Sequence, residues 1–175
     1  VQRLFVALAI PDPVARMIAP IQSGVPGARW QSREQLHLTL RFIGEVADAA
    51  TIDDALAGID APAFTLEPHA VGEFGGKHPH ALWAGVRTSE PLLHLQRKVE
   101  SALQRVGIAG DRERYKPHIT VARLTRTPVG KVMDWLTDHA LFTAPAFEVS
   151  EFLLYSSVLT DDGSIYRPEQ AYPLR

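Results

Sequence analysis

The chain of 175 residues contains no cysteine, and that one absence removes disulfides, thiolate nucleophiles, Cys-ligated zinc and iron–sulfur clusters together. An excess of positive charge is missing too. Eighteen Lys and Arg stand against 20 Asp and Glu, a formal net charge of −2, so the chain as a whole is no basic coat for nucleic acid, and any such contact must be local. No apolar run reaches the ~18–20 residues of a membrane-spanning helix. Near the N-terminus, Leu4 to Ile10 is apolar, but Pro11-Asp12-Pro13 follows without a small-residue cleavage site, so the stretch reads as a first buried strand rather than a secretory segment. These absences give the expectation of a cytoplasmic protein without membrane contact. What is present, 46% hydrophobic and 22% charged residues, is the composition of a globular protein. At roughly 100–200 residues per domain, the length predicts a single domain over 1–175.

Local patterning predicts alternating strands and helices. Asp12 and Pro13 fit an N-cap and first helical residue, opening a helix through Met17 and Ile21 that stops near Ser23-Gly24. From Leu36 to Ile43 apolar residues alternate with His37, Thr39 and Arg41, the period of a strand with one buried face. A helix is expected from Asp48. A hairpin is expected from Phe64–Val71 and Ala81–Val86 around a Gly/Pro/His-rich loop. Ser89 caps the clearest helix, which Gly107 ends. A strand over 118–124, a helix through Val132 and Leu136, and three strand-like segments from Phe147 to Arg167 with a turn at Asp161-Asp162-Gly163 complete the reading. Hairpins mixed with helices point to α+β with antiparallel or mixed sheets rather than a doubly wound parallel fold.

The most informative feature is a four-residue repeat: Leu36-His37-Leu38-Thr39-Leu40 and Pro117-His118-Ile119-Thr120-Val121, with the histidines 81 positions apart. The chance of two His-apolar-Thr-apolar motifs among seven histidines and ten threonines is well below about 1%. On a strand, residues i and i+2 share a face, so each motif delivers an imidazole and a hydroxyl side by side while its apolar residues enter a core. Imidazole titrates near neutral pH, so of two histidines across a cleft one can serve as general base and the other as general acid. Displacement at phosphorus needs that pair, and the two hydroxyls can donate to the non-bridging oxygens. Neither metal nor cofactor is required.

Local charge favours an anionic substrate. Between Arg105 and Lys131 seven Arg and Lys stand against Asp111 and Glu113, a local +5. Arg29, Arg33 and Arg41 bracket the first motif in the same way. Other candidates are weaker. His69, His78 and His80 lack an acidic cluster and read as loop residues rather than metal ligands; His94 and His139 read as surface residues, and Trp83 as core.

With these residues in view, the sequence resembles the RNA 2′,3′-cyclic phosphodiesterases, also called the 2′-5′ RNA ligase family, among the two-histidine phosphoesterases. The resemblance runs through Arg3-Leu4-Phe5-Val6-Ala7, Ala28-Arg29-Trp30, Leu36 to Glu45, Leu82-Trp83-Ala84-Gly85-Val86, Lys116 to Leu124 and Leu154-Tyr155-Ser156-Ser157. It implies two pseudosymmetric α+β lobes, each an antiparallel or mixed sheet with helices outside, and a central cleft with one motif strand from each. It also implies metal-free hydrolysis of a 2′,3′-cyclic phosphate, on an RNA 3′ end or a nucleotide, to a 2′-phosphate, with reversible 2′-5′ ligation as the associated activity. By the same resemblance His37 is the proton donor and His118 the acceptor, with Thr39 and Thr120 beside them; spacing alone does not assign the directions.

The resemblance further offers Arg123, Phe42 and Tyr115 as substrate-binding residues, and Arg41 joins them as a basic neighbour of the first motif. Arg123 and Phe42 each lie five positions past a motif histidine, where strict alternation puts them on the opposite face. Arg123 reaches the cleft only if its strand twists, bulges or ends, and Phe42 by count belongs with the core leucines. Tyr115 is the candidate for base stacking. A monomer is expected. Two other readings remain open: a cyclic phosphodiesterase acting on a small nucleotide, such as an ADP-ribose cyclic phosphate or a 2′-5′ oligonucleotide, and a non-catalytic RNA- or nucleotide-binding module.

Overall fold

The computed structural model describes residues 2–175; Val1, which precedes the expected first strand, lies outside them. In chain order the elements are β1 (Gln2–Ala9), α1 (Asp12–Ile18), β2 (Ala28–Trp30), β3 (His37–Val46), α2 (Ala49–Ala57), β4 (Phe64–Leu66), β5 (Pro68–Phe74), β6 (Ala81–Val86), α3 (Glu90–Arg105), β7 (Ile119–Leu124), α4 (Val129–Asp138), β8 (Phe147–Val149), β9 (Glu151–Thr160) and β10 (Gly163–Pro173). The fold is α+β, as expected. Its main sheet runs β10-β9-β1-β3-β7-β6-β5, with β2 added to β7, and every strand pairing is antiparallel.

Two half-sheets form the lobes. One is β10-β9-β1-β3, the other β7-β6-β5 with β2, and a single residue pair, Leu38 opposite Ile119, joins them. Each of those residues directly follows a motif histidine. In an antiparallel register that pair sets His37 across from Thr120 and Thr39 across from His118, so the pseudo-twofold relation passes through the repeat itself. Behind the sheet, Leu38, Leu40, Ile119 and Val121 are buried with residues of α1, α2, α3 and α4. The apolar half of each motif thereby anchors the strand that carries its polar half.

Most local signals act as expected. Asp48 Oδ1 accepts from Thr51 N (3.2 Å) and Ser89 Oγ from Leu92 N (3.2 Å). Gly107 takes φ 91°, with Gly107 N donating to Gln104 O and Ile108 N to Leu103 O, a Schellman closure. Three expectations need correction. Asp12 is the first residue of α1 and does not cap it; its carboxylate pairs with Arg33 (2.8 Å). The expected strand over 64–71 divides at Glu67: β4 pairs with β8 outside the main sheet, while β5 pairs with β6, its register slipping between Pro68 and Val71, where Ala70 adopts φ 65°. The last strand runs on past Arg167 to Pro173, its register slipping after Pro168, a residue that lacks the donor for an ordinary ladder bond. Among the described residues no helix is long and apolar enough to cross a membrane.

Candidate active site

Strand β3 and the start of β7 bring the two motifs to one cleft of about 320 Å³, lined by His37, Thr39, His118 and Thr120 among others. The two histidines are held identically. His37 Nδ1 meets the carbonyl of Gln35 at 2.8 Å and His118 Nδ1 that of Lys116 at 2.7 Å. A carbonyl oxygen only accepts, so Nδ1 carries the proton in both rings, and Nε2 is the nitrogen left to gain or lose one. The brace reaches back two residues in each case, which ties ring orientation to the turn that enters the strand.

Aromatic walls fix the rings further. Around His37 stand Phe5 (centroids 4.9 Å), Tyr166 edge-on (5.1 Å) and Tyr155 (6.4 Å); around His118, Phe74 edge-on (4.8 Å) and Trp83 (6.2 Å). Trp83 stands behind His118 as a half-buried residue of β6, and it packs so closely over Gly72 that a Cβ there would sit 2.1 Å from the ring. Lys116 Nζ lies 5.1 Å from the centroid of Trp83, a cation–π contact at the rim. Burial disfavours imidazolium, and Arg123 adds a positive charge nearby. Burial first, then Arg123 and His118, bring His37 down to about 4 against the bond to Gln35. His118 is lowered as well, by burial first and then by Arg123 and Lys116.

Two register slips decide which of the remaining predicted residues reach the cleft. Opposite β1, the β3 partners skip Leu40 and Ile43, so Leu40 and Arg41 both turn inward and Phe42 turns to the cleft, 49% exposed. Opposite β6, the β7 partners skip Val121; Val121 and Ala122 are both buried, and Arg123 lines the cleft. The slips at Leu40 and Val121 each fall between motif and fifth residue and invert the face that strict alternation assigns, whereas the slip at Ile43 lies beyond Phe42. Phe42 therefore leaves the core expected of it by count, and the guanidinium of Arg3 sits over its ring (5.2 Å).

Two candidates are corrected. Arg41, drawn inward by the same slip, is 7% exposed; it pairs with Glu100 at 2.7 Å and donates to the carbonyls of Phe42 and Ala109. It faces away from the cleft. Tyr115 is half-buried against the core, its hydroxyl donating to Thr39 O (2.8 Å), and it does not line the cleft. Both residues instead tie the loop before the second motif to the strand of the first.

The cleft also contains residues that sequence reasoning passes over: Arg3, Phe74, His80, Ser157, Ser164 and Tyr166. By pattern His80 groups with His78 as a loop residue, yet β6 begins directly after it and aims it at Phe74 (6.3 Å). Arg3 and Ser157 sit within segments that carry the family resemblance, which is the available signal. Ser164 and Tyr166 carry none. Among the described residues no group of three His, Asp or Glu is arranged to hold a metal ion.

Known proteins bear on this geometry. The model of the 2′-5′ RNA ligase superfamily matches residues 10–161. A protein of Archaeoglobus fulgidus named RNA 2′,3′-cyclic phosphodiesterase is 33% identical, over 94% of this chain and 96% of its own. The crystal structure of TT0787 of Thermus thermophilus superposes with a TM-score of 0.83 at 25% identity, covering 99% of this chain and 98% of that one. That of Escherichia coli LigT complexed with 3′-AMP does so at 0.77, also at 25% identity, over 99% and 98%.

Proposed function

The chain belongs to the 2′-5′ RNA ligase superfamily, and from that premise we propose that it is an RNA 2′,3′-cyclic phosphodiesterase whose two motif histidines open the cyclic phosphate of an RNA 3′ end without a metal. The observation that carries the reading is the matched brace. Two imidazoles have Nδ1 committed to a carbonyl, Nε2 free, and a hydroxyl two residues on, and all four side chains line one cleft.

In this reading water attacks phosphorus as His118 Nε2 takes its proton. The bond from phosphorus to the 3′-oxygen breaks, and His37 Nε2 gives that oxygen a proton, leaving a 2′-phosphomonoester and a 3′-hydroxyl. The two histidines end with their protonation exchanged, and solvent resets them. Thr39, Thr120 and Arg123 face the non-bridging oxygens, where fixed donors are most effective in a site that excludes water. A phosphodiester anion in the cleft also offsets the influences that depress both imidazoles, so substrate itself favours the protonated acid. With the 5′-hydroxyl of a second strand in place of water, the same proton transfers join ends through a 2′-5′ linkage. The donor set supports chemistry without a metal, since no carboxylate lines the cleft.

The test is product analysis with an RNA oligonucleotide ending in a 2′,3′-cyclic phosphate, in the presence of EDTA. The expected product carries a 2′-phosphate, and His37→Ala or His118→Ala lowers kcat by about 10³-fold, within the range for general acid–base groups, with unchanged thermal melting. A 3′-phosphate product, full activity in either variant, or loss of activity with chelator would overturn the mechanism.

A further inference from the structure

Beyond the cleft, and continuous with it, lies a second concavity of about 510 Å³ lined by Arg3, Arg123, Ser164 and Tyr166, which both share, and by Arg29, Gln31, Gln35, Thr125 and Leu159. Its walls are β2, the end of β7 and the tip of the β9–β10 hairpin. Like the cleft it has no carboxylate in its lining, in a protein whose net charge is −2. Asp161 and Asp162 stand at the hairpin tip, but Arg29 meets the carbonyl of Asp161 (3.5 Å) rather than a carboxylate.

Two features of this groove look for an anion and a polar partner. First, β2 and β7 pair Arg29 directly opposite Arg123. Like charges at directly opposed positions repel. Among the described residues none of Arg3, Arg29 and Arg123 forms a salt bridge, whereas Arg33, Arg41 and Arg87 each do. Second, Gln31 follows Arg29 by two residues and shares its face. It is 7% exposed, its backbone is engaged by Val121 and Gln22, and its side-chain amide makes no hydrogen bond among the described residues. The amide lines the groove and is open to a partner there. The groove is also kept open by backbone: Gly163 holds φ 111°, and a Cβ there would come within 3.4 Å of Arg29 Nη1 and Gln35 Nε2.

We infer that this groove is a second nucleotide subsite, in which Arg29 holds the phosphate that links the terminal nucleotide to its 5′ neighbour, Arg123 stands between that phosphate and the cyclic one, and Gln31 hydrogen-bonds the neighbour. The inference rests on the reading above, in which the terminal cyclic phosphate sits between the histidines. It makes the preferred substrate a single-stranded oligonucleotide end rather than a mononucleotide. The 2′,3′-cyclic end lets the strand continue in one direction only, so one groove suffices. Exposed Leu159 gives the groove an apolar rim against which an unstacked base can rest.

The experiment compares kcat/KM for cytidine 2′,3′-cyclic monophosphate and for a trinucleotide ending in 2′,3′-cyclic phosphate. Alongside it, fluorescence anisotropy follows binding of the labelled 2′-phosphate trinucleotide. The wild type is expected to favour the trinucleotide about tenfold. Arg29→Ala and Gln31→Ala each remove most of that preference, cutting the trinucleotide value several-fold more than the mononucleotide value, and Arg29→Lys restores part of it. Arg29→Ala also lowers the dependence of trinucleotide affinity on salt by about 0.7 in log–log slope, the amount for one phosphate on a single strand. Equal rates on the two substrates in the wild type, or equal losses on both in the variants, would overturn the subsite. Should neither substrate turn over, the reading of the cleft fails, and the anisotropy series still decides the groove: unaltered trinucleotide affinity in Arg29→Ala refutes it.

Discussion

At the scale of single residues, the character of the two histidines comes from their surroundings rather than from imidazole alone. Each has Nδ1 tied to a carbonyl, which favours imidazolium, yet burial and the guanidinium of Arg123 outweigh that bond and lower both. In the free protein both imidazoles therefore take up a proton only in acidic solution, and in the proposed mechanism the substrate phosphate acts in the opposite sense. The optimum of kcat/KM, which reports the free enzyme, is expected below pH 6.5, with the kcat profile displaced upward. Arg123→Gln removes a charge that lowers both histidines, so it moves the kcat/KM profile upward while lowering its maximum by about 10²-fold. Superimposable wild-type profiles, or no movement in the variant, would refute this account. The profiles belong to the histidine pair, so they do not name acid and base one by one. The single variants assign those roles through the limb that each deletes.

Among the elements, two strands with a register slip matter most. Periodicity in the sequence places His37 with Thr39 and His118 with Thr120, because side chains two apart share a face whatever the strand pairs with. It fails at the fifth position of both motifs, since a skipped partner residue inverts every face beyond it, and only the neighbouring strand shows where the skip occurs. Arg41 illustrates the consequence. A residue patterned like the polar face becomes an inward one, and its charge is stabilised by Glu100, which also accepts from Gln104 and from the backbone of Asp111. This pair fastens β3 to α3 and to the loop leading into β7. Arg41→Met is expected to cost about 2–3 kcal/mol in urea unfolding, the lower end for a buried pair because Glu100 keeps some solvent contact. Adding Glu100→Leu should recover much of that loss by removing the stranded carboxylate. A double variant no more stable than Arg41→Met would show that the cost lies in the lost bonds to Phe42 and Ala109 instead.

On the scale of the whole molecule, a basic concavity is set in an acidic protein, and its histidines link the fold to pH. His37 titrates near 4 folded against an ordinary 6.5, so between those values the unfolded chain binds more protons than the folded one. Stability from this group is complete above pH 6.5 and is lost as pH falls towards 4; His118 acts in the same direction. Asp12, Asp48 and Glu100 are lowered too, and as carboxylates they lose their contribution further into acid, below their ordinary range. The urea midpoint of the wild type is expected to fall between pH 6.5 and 4.5, and His37→Gln, which cannot titrate, to flatten that fall. An equally steep decline in the variant would place the acid sensitivity elsewhere. Sequence by itself determined the α+β class, the repeated strand motif and its imidazole–hydroxyl pairs, because strand period, caps and turn glycines act over a few residues. Tertiary structure decided that the two motifs meet at one residue pair, that Phe42 and Arg123 turn into the cleft while Arg41 and Tyr115 do not, and that Arg29 stands opposite Arg123. Those outcomes depend on register between strands far apart in the chain, and local propensity carries no information about such long-range pairing.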